Sequence, residues 1–225
     1  MYLSSPLASL VPALHARVIQ VLLSNTGGVT GRQVHRLAGM GSDTGVRNIL
    51  VALVEQGLVL SETVGRARLY RMNTDHVLYR SLLDMSRVRA EIVSRVRVEI
   101  ESWDNGVPAW HSSIFGSFAR GEAGPDSDID VLVVIAPDAG TDLTDDRWVT
   151  QIATLAQNIE TWTGNVGQIL DADVTTLGKM LQHEDPLVAS WRADAVPLSG
   201  ETLLQMLREV RVRCGMPLQS LGGAR

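Results

Sequence analysis

Residues 116–130 read Gly-Ser-Phe-Ala-Arg-Gly-Glu-Ala-Gly-Pro-Asp-Ser-Asp-Ile-Asp and lead straight into the apolar run 131–136. That run predicts a strand, with Asp128 and Asp130 at its start in positions i and i+2. Side chains two apart on a strand share a face, so the spacing projects the two carboxylates together. They repel each other unless a cation lies between them, and an oxygen-only pair suits Mg²⁺ or Mn²⁺. A second reading makes Asp126, Asp128 and Asp130 simple turn acids, because turns favour Asp, Ser, Gly and Pro. It accounts for Gly124-Pro-Asp-Ser127 but not for Asp130, which falls where strands are depleted in Asp.

Working outward, residues 110–115 (Trp-His-Ser-Ser-Ile-Phe) read as a short strand that ends at Gly116. A glycine there lets the backbone turn sharply and come close to a ligand. Ser117 then opens a short helical segment, whose free N–H groups and hydroxyl suit an anion. Arg120 could add a charge-assisted contact to a phosphate, or could pair with Asp126 or Glu122. His111 reads as a packed residue. The remaining histidines show no metal-ligand spacing.

Gly-Ser, ten residues (118–127), then Asp-x-Asp resembles the motif of the nucleotidyltransferase superfamily that includes DNA polymerase β, and most of all its minimal members. The resemblance spans residues 85–200 or so. It implies a nucleotidyltransferase-fold mixed sheet with helices, and a nucleoside triphosphate, ATP first among them, as substrate. It further implies Asp128 and Asp130 as metal ligands for Mg²⁺ or Mn²⁺. Asp128, Asp130 and Ser117 would be the catalytic residues, and Gly116, Ser117 and Arg120 the nucleotide contacts. A nucleoside monophosphate would pass to a hydroxyl on a protein or RNA. Proteins of this look include antitoxins that adenylylate a partner toxin. The superfamily usually carries a third carboxylate on a neighbouring strand. The matching segment here is 165–171, and Gln168 stands at that position. Asp171 has the opposite parity on a regular strand, and Asp173 falls past its end.

The front of the chain has its own pattern. Residues 15–24 form an apolar-faced helix. Thr30, with Gln33 three residues later, opens a second helix as a capping box. Ser42 caps a third, 43–56, with Val46, Ile49, Leu50, Leu53 and Val54 at helical spacing and Gly57 as its stop. Two β-like runs follow, 58–63 and 67–72. This order resembles the winged helix-turn-helix modules of bacterial transcription regulators. The resemblance implies operator DNA as a partner, with Thr44, Arg47 and Asn48 on the recognition helix and Arg66 and Arg68 on the wing. A winged helix used for protein contacts would show the same pattern.

Charge is unevenly spread. Residues 1–80 carry eight Arg and four acids, so the front is net +4 while the remainder is −9. Overall acidity argues against nucleic acid binding over the whole surface, but a basic front leaves a local site open. The division expected is therefore 1–80 and 81–225, in an α+β chain, with 73–83 as linker and one long helix over 84–103. Later helices are expected at 148–162, 175–181, 187–193 and 201–213, with a frayed tail from 215. A single cysteine, Cys214, excludes an internal disulfide framework and suits a reducing cytoplasm. No run is long enough to span a membrane, and the first residues lack a basic n-region. A homodimer is an expectation from palindromic operators. Three functions stand: an active transferase with a DNA-binding regulatory module, a DNA-binding regulator whose transferase-like half only senses nucleotide, and a two-module scaffold.

Overall fold

The computed structural model describes residues 1–103 and 106–217. The tail expected to fray lies, from 218 onward, outside the described residues. The chain divides into one unit of Ser4–Arg89 with Tyr2, and another from Ala90 onward with Met1 and Leu3.

In the first unit, α1 (Ala13–Leu23), β1 (Val29–Thr30), α2 (Gly31–Ala38) and α3 (Asp43–Glu55) precede the strands β2 (Val59–Val64) and β3 (Ala67–Met72) and the helix α4 (Tyr79–Ser86). The helix limits follow local chemistry. Thr30 and Gln33 form the reciprocal capping box, and Gly39 ends α2 in the left-handed region at φ +68°. The Ser42 side chain accepts from Gly45 N at the start of α3. α3 buries Val46, Ile49, Leu50 and Leu53 against Val18, Leu22 and Val34. β3 pairs antiparallel with both β1 and β2, and the hairpin closes on the two residues Gly65-Arg66.

The linker and long helix expected over 73–103 are replaced by two helices, α4 and α5 (Val88–Glu101). The reason lies in their apolar stripes. Tyr79, Leu82 and Met85 of α4 pack on the first unit's core, which carries that unit past residue 80. α5 instead buries Ile92, Val96 and Ile100.

The second unit is built on a mixed four-stranded sheet, order β6-β5-β4-β7. Its strands are β4 (Ala109–Phe115), β5 (Ile129–Ile135), β6 (Gly167–Ala172) and β7 (Val196–Gly200). β5 runs antiparallel to β4 and parallel to β6. Between them lie α6 (Gly116–Arg120), α7 (Asp146–Thr163), α8 (Val174–Gln182) and α9 (Pro186–Asp194), and α10 (Leu203–Arg213) follows. β5 is buried along nearly its whole length. Leu132 and Val134 pack with Leu177, Leu181, Trp191 and Leu207, while Asp171 of β6 turns to α7 and accepts from Trp148 Nε1 at 2.9 Å. β7 is absent from the sequence reading. Its Pro197 marks it as an edge strand, and only pairing with β4 makes it one. Among the described residues no helix is long and apolar enough to cross a membrane.

Candidate active site

The site forms where β4 ends and β5 begins. Phe115 is the register partner of Asp130, so the turn at Gly116 falls beside that carboxylate. Gly116 has φ +71°, in the region that favours glycine. A Cβ built there would overlap Asp130 Oδ2. Gly116 is thus fixed twice, by its backbone conformation and by the acid occupying the space of its missing side chain. Ser117 follows in the first turn of α6. It is half-buried, and its hydroxyl has no protein partner among the described residues. Gly121, at φ +75°, ends the helix.

The acid pair differs slightly from the sequence expectation. β5 starts at Ile129, so Asp130 lies on the strand while Asp128 sits one residue ahead of it. Both are half-buried. Burial, and then the charge of Asp128, raise the Asp130 carboxyl above its ordinary value. Two half-buried carboxylates, one of them raised by the charge of the other, are a donor set that fits a divalent cation, which would relieve the repulsion. Among the described residues no three His, Cys, Asp or Glu side chains converge as a metal-binding group.

The neighbouring strand explains that limit. Gln168 is the register partner of Asp130 across the parallel β5–β6 pair, so an uncharged amide stands beside the acid. Asp171 is the partner of Val133 and is bound to Trp148 on the opposite side of the sheet. Asp173 lies past β6, where it accepts from Thr176 N at 2.7 Å as the cap of α8. Neither replaces a carboxylate at 168.

Arg120 is held by two acids. Its Nε donates to Glu122 at 2.8 Å and its Nη1 to Asp194 at 2.6 Å. Asp126, the other pairing considered from sequence, is not used. Asp194, the last residue of α9, had no signal in the sequence. Its side chain is nearly buried, its Oδ1 has no hydrogen-bond partner, and its charge also raises Asp130. A second unsignalled residue is Asn165. It is buried, and its Nδ2 donates to the carbonyls of Pro125 and Ser127 at 2.7 and 3.0 Å, which pins the turn that delivers Asp128. His111 is fully buried. Its Nδ1 meets the Glu201 carbonyl at 2.7 Å and its Nε2 the Ser113 hydroxyl at 3.1 Å, and burial lowers its pKa.

In the first unit Arg47, Arg66 and Arg68 line one cleft. Arg47 pairs with Asp43 at 2.9 Å. Arg68 donates to Ser61 Oγ at 2.8 Å and lies over the Tyr70 ring. Thr44 and Asn48 are exposed but do not line this cleft, because Asp43, Arg47 and Leu50 form the stripe of α3 that does.

Residues 112–185 match the family model described as the nucleotidyltransferase domain. That segment holds the Gly-Ser turn, the acid pair and Gln168. No curated protein matches the chain. Among solved structures, a crystal structure of a toxin-antitoxin with AMP-PNP is similar at 19% identity and a TM-score of 0.33, covering 52% of this chain and 82% of that one. A mutant of the toxin-antitoxin MntA-HpeT is similar at 16% identity and a TM-score of 0.33, covering 53% and 82%.

Proposed function

We propose that the second unit is a nucleotidyltransferase that moves a nucleoside monophosphate from a nucleoside triphosphate, ATP first, to a hydroxyl of a protein or RNA. The observation that carries this reading is the Gly116 turn, whose missing Cβ leaves the space that Asp130 Oδ2 fills. Phosphate-binding backbone and paired acids are thereby adjacent, within the segment that matches the nucleotidyltransferase domain. Gly116, through its backbone, and Ser117, with its free hydroxyl, hold the β- and γ-phosphates. Asp128 and Asp130 hold Mg²⁺ or Mn²⁺, which when bound screens the triphosphate and the charge that develops on it. Arg120 lies on the same helix as Ser117, and its third nitrogen remains for a phosphate oxygen. The acceptor oxygen bonds to the α-phosphorus, the bond to the β-phosphate oxygen breaks, and pyrophosphate leaves while the hydroxyl proton passes to solvent.

The first unit is, in the same proposal, a winged helix-turn-helix that places α3 and the β2–β3 hairpin against operator DNA. Element order and the basic front support this. One observation favours a second reading, in which the second unit binds nucleotide without turning it over. Gln168 opposite Asp130 leaves the site without the third acid. Incubation with α-labelled ATP and Mg²⁺ or Mn²⁺, in the presence of co-purifying protein and RNA, separates the two. Label should enter a macromolecule and be lost with Asp128→Ala and Asp130→Ala. Calorimetric binding of ATP without any incorporation would establish the sensor instead.

A further inference from the structure

The cleft in the first unit holds more positive charge than the sequence motifs suggested. It measures about 730 Å³ and is lined by Arg32 and His35 of α2, Asp43, Arg47 and Leu50 of α3, and Arg66, Arg68 and Tyr70 of the hairpin. Four guanidinium groups from three separate elements therefore converge on one concave space. The single acid on its wall, Asp43, is already paired with Arg47. Arg32 and Arg66 are exposed and have no ion pair or side-chain hydrogen bond among the described residues. The His35 ring is held at the rim by the Gly41 carbonyl, 3.1 Å from Nε2.

Like charges gathered in a concavity raise its potential well above that of the same charges on an open surface. Such an arrangement opposes folding of its own unit unless an anion occupies it. Guanidinium forks match phosphate oxygens in pairs. The volume lies within the range of small-molecule sites, roughly 300–1,000 Å³.

We propose that this cleft is a phosphate-binding site in which Arg32 and Arg66 act with Arg47 and Arg68, and that its ligand presents several phosphates close together. Two sources share that chemistry: consecutive phosphates of a nucleic-acid backbone, and the polyphosphate tail of a free nucleotide. The site shares Arg47, Arg66 and Arg68 with the operator reading but does not rest on it, since a free polyphosphate would engage the same groups. It is also separate from the triphosphate site at Gly116 and Ser117, which lies in the other unit.

The test uses the full chain, wild type and Arg32→Glu/Arg66→Glu, against two probes. One is a fluorescent duplex of arbitrary sequence followed by anisotropy. The other is inorganic tripolyphosphate followed by calorimetry in the presence of EDTA. Arg36→Glu is the control for charge, because Arg36 is equally exposed on α2 and does not line the cleft. The double variant should weaken at least one probe tenfold or more, with Arg36→Glu close to wild type. A loss confined to the duplex, with a salt slope reduced by about one per arginine removed, identifies backbone phosphates. Loss of tripolyphosphate binding, with tripolyphosphate competing against the duplex, identifies the free polyphosphate. If neither probe binds, if the double variant binds both as wild type does, or if Arg36→Glu weakens binding as much per charge, the proposal is overturned. Failure of the transferase reading changes none of these outcomes.

Discussion

Asp130 carries opposing demands. It lies on a central strand among residues that are fully buried, and its carboxyl is raised above 3.8 by burial and then by Asp128. An acid whose folded pKa is raised opposes folding once ionised. That cost is absent below the unfolded value, appears as pH rises through the interval between the unfolded and folded values, and is complete above it. Asp130→Asn should therefore raise the Tm at neutral pH, with the gain shrinking as pH falls towards 3.8. Melting curves across that range check this, and a gain that does not vary with pH would count against the electrostatic cause. Gly116→Ala should act in the opposite sense. The left-handed backbone alone costs about 1–2 kcal/mol for a residue with a Cβ, and displacing Asp130 adds to it. Stability by urea titration and ATP binding should fall together. The Gly-Ser turn and acid pair were legible in sequence because all their geometry is local, within one strand-turn-strand passage. Asp194 and Asn165 were not, because each reaches the site only through the sheet: Asp194 leads into β7 on one side and Asn165 into β6 on the other.

At the scale of elements, the parallel register of β5 and β6 decides the most. It sets Gln168, not Asp171, beside Asp130. The family resemblance placed the third-acid position at Gln168, and parity along the segment set Asp171 on the other face, since a strand alternates faces whatever its partner is. What the sequence could not supply was the register of that strand against β5. Gln168→Asp puts a third carboxylate opposite Asp130. Without metal it should lower stability by on the order of half a kcal/mol or more, as like charges directly opposite in a sheet do. Mn²⁺ should reverse that loss and bind more tightly to the variant than to wild type. Urea titrations with and without Mn²⁺ give both quantities. An ion that does not distinguish variant from wild type would mean that the acids do not share a cation. Helix limits set by capping side chains, at Thr30 and Ser42, were readable for the same reason as the turn: the deciding residues lie within one turn of the boundary. The break between α4 and α5 was not readable, because both stripes look helical and only the core that each one joins separates them.

At the scale of the whole molecule, each unit contains an apolar cluster of its own, and the front and rear of the chain carry opposite net charge. One core gathers α1, α2, α3 and the hairpin around residues such as Leu50, and another gathers the sheet with α8, α9 and α10 around residues such as Leu132. Leu50 and Leu132 are both completely buried, so truncating either to alanine should cost about 2–5 kcal/mol in the unit that contains it. The two cores share no residue. Leu50→Ala should therefore speed amide exchange through α1, α2 and α3 and weaken phosphate binding in the basic cleft, while β4, β5 and β6 keep their protection and ATP affinity stays as in wild type. Leu132→Ala should do the reverse. Hydrogen exchange read by mass spectrometry, alongside the two binding assays, separates the outcomes. If Leu50→Ala lowered ATP affinity as well, the basic front and the acidic site would be energetically coupled. A nucleotide bound in one unit would then change the hold of the other on its anion by the same factor in both directions.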